Sequence, residues 1–331
     1  MNTMKWLLRR EFWENKGGFV WAPLIAAIIM VVLVGGVVGY GLASGKLSSE
    51  DVTIRVEGKE VHTTSVSLAK AVTPEKRTQM ASIAANNYIA VGAPIFFVLP
   101  IVAFFYCLAA LYDDRRDRSI LFWKSLPISD ADTVLSKLVT VLVVAPLITI
   151  GVATAAALAI LFFAGIATSY HGVSLFGAVL TNVNFYLAPF YLVGMLPVYI
   201  LWALPTAGWL LLVSSWAKSK VFLWAVGVPL MAAVLLKWLD YLLGMAGGVT
   251  INADWVINNV LETILLGLIP GTWFMNAGGD LPLPTTNGVD MMTMLQYSYA
   301  TLGKPALWTG VVAGVAMILG AIRLRRWRDE G

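Results

Sequence analysis

The 331-residue chain is 59% hydrophobic and only 13% charged, with a formal net charge of +4 and a mean hydropathy of +0.78. Soluble domains carry about 25% charged residues, so this balance excludes an ordinary soluble protein. One cysteine, Cys107, and two well-separated histidines, His62 and His171, with no carboxylate cluster beside them, make a metal site or a disulfide framework improbable.

Apolar stretches near 20 residues, enough to cross ~30 Å of hydrocarbon, fall at 19–44, 89–112, 134–165, 189–215, 221–243 and 300–322. Helix is the expected spanning form, because backbone groups facing lipid must be satisfied within their own segment. A barrel would instead show alternating strands of about 10 residues. The expected fold is therefore an all-α polytopic membrane protein with six transmembrane helices, in one domain covering 1–331.

Residues 1–18 precede the first span. "MKWLLRREFWENK" mixes Lys, Arg and Glu with large apolar side chains. Met4, Leu8 and Phe12 cluster on a helical wheel, while Trp6 and Trp13 fall elsewhere. Two readings stand: a helix at the membrane interface anchored by Trp, or a plain basic flank. The first span is too long for a signal-peptide core of 7–15 residues, and is expected to be retained. "GYGLASGKLS" at its end resembles a phosphate loop but has Tyr40 where the first Gly belongs and Leu47 where the hydroxyl residue belongs.

A polar segment, 45–88, follows. "VTIRVEGKEVHTT" alternates apolar and polar residues around Glu57-Gly58-Lys59, the pattern of a hairpin. After Pro74 the sequence turns helical and runs into the second span.

Residues 113–133 separate the second and third spans. Here "DDRRDRSILFWKSLPISDAD" sets Arg115, Arg118 and Lys124 among Ile120, Phe122 and Trp123. A short helix is expected to stop at Leu126-Pro127, since the residue before Pro is pushed out of helical geometry. Ser129 with Asp132 three residues on forms a capping box for the next helix. A membrane loop by itself has no need of exposed Phe and Trp at its tip. A protein partner would bury them as anchors.

The fifth span carries Lys237 and Asp240, three residues apart and able to pair on one helix face. Near a membrane interface such a pair is structural rather than a proton relay. Residues 245–299 contain the 16-residue apolar run "DWVINNVLETILLGLI", closed by Pro270-Gly271. It is short for a span and is expected to be re-entrant or interfacial. Small-residue spacing occurs twice, at Gly35 and Gly39 and at Gly310 and Gly314, and suits close helix packing within one chain or between two.

Fifteen Lys and Arg lie on one set of connecting segments and seven on the other. The positive-inside rule then places both termini in the cytoplasm. The basic balance reports orientation, not nucleic-acid binding.

The loop "DDRRDRSILFWKSLPISDADTVLSKL" resembles the first cytoplasmic loop of ABC-2 type permeases, with its acidic-Arg stretch, short coupling helix and "LP-[IV]-S" turn. "KWLLRREFWENK" resembles that family's elbow helix, which favours the interfacial reading. The resemblance implies a non-catalytic membrane subunit, a multi-pass protein of the cell (inner) membrane. Two copies, expected as a homodimer, would form a translocation path. Two separate cytoplasmic ATPase subunits, carrying ATP and Mg, would drive export of a hydrophobic or amphipathic substrate. On this likeness Arg115, Arg118, Ile120, Phe122, Trp123, Lys124, Leu126 and Pro127 form the ATPase-coupling surface. Trp6, Arg9, Arg10, Phe12 and Trp13 belong to the elbow helix. The polar segment 45–88 is longer than in compact members. The rival expectations are a non-transporting sensor or immunity factor and an ion-coupled secondary transporter.

Overall fold

The computed structural model describes residues 3–44, 52–56, 59–63, 73–117, 128–170, 172–247, 252–275 and 291–327. Six helices among them are long and apolar enough to cross a membrane: Gly17–Ala43, Glu75–Arg116, Asp130–Tyr170, Val183–Trp216, Val221–Met245 and Pro305–Trp327. The protein is a multi-pass membrane protein of the all-α class. One antiparallel hairpin stands apart, β1 (Val52–Val56) with β2 (Lys59–Thr63), in the register Val52↔Thr63 to Val56↔Lys59. This is the hairpin the alternation predicts; its turn, Glu57-Gly58, lies outside the described residues.

Proline sets the irregular points of the spans. π-helical turns at Gly17–Trp21 and Thr140–Val144 immediately precede helices that carry Pro23 and Pro146 near their start. A proline cannot donate to the carbonyl four residues back, and a wider turn absorbs the mismatch. In the second span, a 3₁₀ segment at Ala93–Phe97 contains Pro94 and separates Pro74–Val91 from Val98–Ala110. Thr73 caps the first of these helices by accepting from the Lys76 amide.

The sequence reading of the last span shifts by five residues. Ala300 ends a separate helix, Met291–Ala300, and the span begins at Pro305 after a 3₁₀ turn at Thr301–Gly303. The junction, Thr301–Lys304, is short enough to be read as part of one apolar stretch. The proline is what fixes the start, because its fixed φ and missing N–H suit the first helical position.

The fourth span is the hub. Its buried residues Val198, Trp202, Ala203, Ala207, Leu210 and Leu211 form the centre of the main core with Leu99, Cys107, Val141, Leu307 and Ile318 from other spans. Against the last span the two backbones nearly touch. A Cβ added at Gly208 would meet the Gly314 carbonyl oxygen at 2.7 Å, and one at Gly314 would meet the Leu204 carbonyl at 3.0 Å. A Cβ at Gly310 would press on Pro205 at 3.3 Å. Gly310 and Gly314 thus pack within the chain. A Cβ at Gly35 would meet the Phe163 ring at 3.2 Å, whereas one at Gly39 would meet nothing within 4 Å.

The segment before the last span is folded back onto the fourth. Short helical pieces at Ala253–Val256, Ile257–Leu261 and Glu262–Leu266 lead to a turn at Pro270-Gly271 and the helix Thr272–Met275. Thr206 stitches this segment down, donating to the Thr263 carbonyl at 2.7 Å and accepting from the Gly267 amide at 3.1 Å. Tyr199 donates to the Leu268 carbonyl. Lys237 reaches Asp254 at 2.9 Å, so it bridges the fifth span to this segment, a contact that the three-residue spacing to Asp240 did not suggest.

Candidate functional site

At one end of the bundle, the N-terminal helix Thr3–Glu14, the junction of the second and third spans, and the end of the last span converge. The meeting point is a chain of charges of alternating sign. Asp130 accepts from Arg325 at 3.1 Å, and Arg325 also reaches Asp114 at 3.1 Å. Asp114 lies 3.5 Å from Lys137, which lies 3.1 Å from Glu11. Glu11 pairs with Arg10 at 2.6 Å, and Arg10 continues to Glu14 at 3.5 Å.

Most of this chain is dry. The side chains of Glu11, Lys137 and Arg325 are 1%, 4% and 4% exposed. A buried charge persists only where partners and hydrogen bonds replace its water. Glu11 has Arg10, Lys137 and the Tyr106 hydroxyl, which donates to its Oε2 at 2.8 Å. The N-terminal helix therefore docks through a buried carboxylate, with Leu7 beside it fully buried. The expected Met4–Leu8–Phe12 face is only half buried. Trp6 and Trp13 stand on the outside, 42% and 55% exposed, and Arg9 is exposed too. Glu14 sits at the rim, where burial raises its carboxyl above the ordinary range against the opposing pull of Arg10.

The second span reaches this end through a bend at Leu111, into the short helix Tyr112–Arg116. Ser214 of the fourth span holds the bend. Its hydroxyl donates to the Leu108 carbonyl and accepts from the amides of Leu111 and Tyr112. Arg115 donates to the carbonyls of Ser214 and Ala217, where a cation favours the helix C-terminus. Arg115 thus serves within the chain as a strut between the second and fourth spans.

On the other side of the loop, Ser129 caps the helix that begins at Asp130, accepting from the Asp132 amide at 3.0 Å. This is half of the capping box read from the sequence; the second half differs, since the Ser129 hydroxyl donates to the Asp132 carboxylate at 2.7 Å. Arg118, Ile120, Phe122, Trp123, Lys124, Leu126 and Pro127 lie outside the described residues. Both roots of their loop are nevertheless fixed: Asp114 and Arg115 on one side, Asp130 on the other.

A cavity of about 260 Å³ opens beside the network, lined by Glu11, Glu14, Asp113, Asp114, Asp117, Lys137 and the Tyr106 ring among others. Among the described residues no group of His, Cys, Asp and Glu is arranged to hold a metal.

Glu11, Tyr106, Asp114, Asp130, Lys137 and Arg325 escaped the sequence reading as a site. A signal existed: Lys137 and Glu11 are ionisable residues at the edge of apolar segments, where charge is retained only for a partner. No family model, curated protein or solved structure matches the chain.

Proposed function

We propose that this chain is the membrane-spanning half of an ATP-driven transporter of the ABC-2 permease type. The observation that carries the reading is the buried charge network that joins both roots of the loop 118–127 to the N-terminal helix and the last span. A partner pushing on that loop would move all of these elements together, because breaking any one contact leaves a buried charge without its counter-ion. The loop's sequence supplies the docking surface, with Phe122 and Trp123 as anchors and Arg118 and Lys124 around them.

In this reading the charged end is cytoplasmic, and two ATPase subunits carrying ATP and Mg dock there. A second copy of the chain completes the path, and the cargo is hydrophobic or amphipathic. The N-terminal helix lies at the inner interface with Trp6 and Trp13 toward headgroups, and the segment around Pro270-Gly271 is a re-entrant element. Catalysis belongs to the partner chain.

The test is purification of tagged chain from its native membrane. An ATPase subunit is expected to co-purify in a one-to-one ratio with this chain. The double variant Phe122→Ala, Trp123→Ala should lose it while keeping membrane abundance, because truncating a buried aromatic anchor costs about 2 kcal/mol or more of binding. Recovery of the chain with no ATPase, or retention of the ATPase by the double variant, would remove the coupling role.

A further inference from the structure

A second cavity, of about 360 Å³, lies inside the bundle away from the charged end, between the second, third and fourth spans and the turn at Pro270-Gly271. Its volume falls at the low end of the 300–1,000 Å³ typical of small-ligand sites. Its chemistry is one-sided. The two lining residues with amphipathic rings turn their polar atoms elsewhere: Tyr199 donates to the Leu268 carbonyl and Trp273 to the Ser298 hydroxyl. Among the described residues of the wall none is charged. Such a space does not hold water, and its lining lacks dispersion contacts until something apolar fills it. Met195, Met291 and Met294 on the wall suit a flexible guest, since the thioether chain adapts its shape.

Its depth narrows the choice of guest. The Leu111 amide meets the Ser214 hydroxyl, which gives the second and fourth spans a common level near the charged end. Counting 1.5 Å per residue from that level, the lining stretch Ile89 to Leu99 lies roughly 33 to 18 Å away, and Leu192 to Tyr199 roughly 33 to 22 Å away. The two counts agree. Against a hydrocarbon thickness of ~30 Å, the chamber occupies the far half of the bilayer, the depth of one leaflet. Its mouth is on the bundle surface at Ala90, Ala93 and Phe97, the last 68% exposed.

We propose that this chamber holds a single alkyl chain of an amphiphile from the leaflet away from the charged end. The volume takes one chain, the described residues of the wall include no charged group to bind a headgroup, and the mouth opens where chains lie.

The chain alone, reconstituted in phosphatidylcholine nanodiscs, suffices for the test, so failure here and failure of the transport reading are separable. Two photoreactive probes are compared, a fatty acid and a phosphatidylcholine, each with a mid-chain diazirine. Adducts should concentrate on peptides carrying Met195, Met291 and Met294, above those on Ile29, Val32, Leu33 and Val37 of the exposed first span. Ala93→Trp, which plugs the mouth, should lose the chamber adducts and keep those on the first span. Labelling by both probes identifies the site with any free amphiphile's chain; labelling by phosphatidylcholine alone identifies it with a bilayer lipid. Adducts no denser in the chamber than on the first span in the unaltered chain would overturn the proposal, whatever the variant's folding. So would chamber adducts that survive in a well-folded Ala93→Trp protein.

Discussion

Lys137 sits between two carboxylates, Glu11 at 3.1 Å and Asp114 at 3.5 Å, with its own side chain 4% exposed. Removing one member of a buried ion network leaves the rest uncompensated, which costs about 3–5 kcal/mol, whereas removing charge in matched pairs is far milder. Lys137→Met is therefore expected to lower the melting temperature in detergent sharply, and Lys137→Met with Glu11→Gln to recover much of the loss. A double variant as unstable as the two single losses added together would show the two groups to be independent. Glu14 at the rim makes a smaller, signed contribution. Burial raises its carboxyl from the ordinary 4.5, so the folded state holds its proton more tightly than the unfolded chain. Its contribution to stability is then present at low pH and falls as pH rises from 4.5 through the raised value. Glu14→Gln should flatten the pH dependence of melting across that window and leave the protein at least as stable at pH 7. The effect is small, because the side chain is half exposed and solvent screens it.

Helix packing separates glycines that look alike in sequence. Gly314 and Gly208 let the fourth and last spans approach to backbone contact, while a Cβ at Gly39 would meet nothing within 4 Å. Gly314→Leu should abolish recovery of folded protein, since the space is bounded by backbone that cannot move aside. Gly39→Leu should leave folding intact. If it also lowers recovery of a dimer by cross-linking, the first span, mostly exposed in the single chain, is the contact between two copies; an unaffected dimer excludes it. The same elements explain what the sequence revealed and what it hid. The six spans, the hairpin and the Ser129 cap depend on neighbours within a few residues, so periodicity and local chemistry expose them. The charge network pairs Arg325 with Asp114 and Lys137 with Glu11 across more than a hundred residues, and no local pattern specifies such partners. The start of the last span was hidden for a different reason: the apolar stretch read from 300 spans the short break Thr301–Lys304, and it is Pro305 that sets the helix start.

For the molecule as a whole, the network places the N-terminal helix, both roots of the 118–127 loop and the end of the last span at one end of the bundle. That fixes which segments share a side; the asymmetry of Lys and Arg supplies an expectation for which side it is. The charged end carries fifteen of these residues in short segments, among them Lys5, Arg9, Lys218, Lys220 and Arg323, against seven on the longer segments opposite. Such an excess close to span ends retains a segment in the cytoplasm. Accessibility tags at Gly58 and Gly279 are therefore expected to react from outside intact cells, and tags at Ser219 and after Gly331 only after permeabilisation. Reaction of the Gly331 tag from outside, with Gly58 protected, would invert the orientation while keeping the six spans. Reaction of Gly58 and Gly331 on the same side would require an even number of crossings between them, one more than the five spans there. In that case the apolar segment Ala253–Leu266 would have to traverse the membrane, which its tether to Thr206 in the middle of the fourth span makes physically hard to achieve.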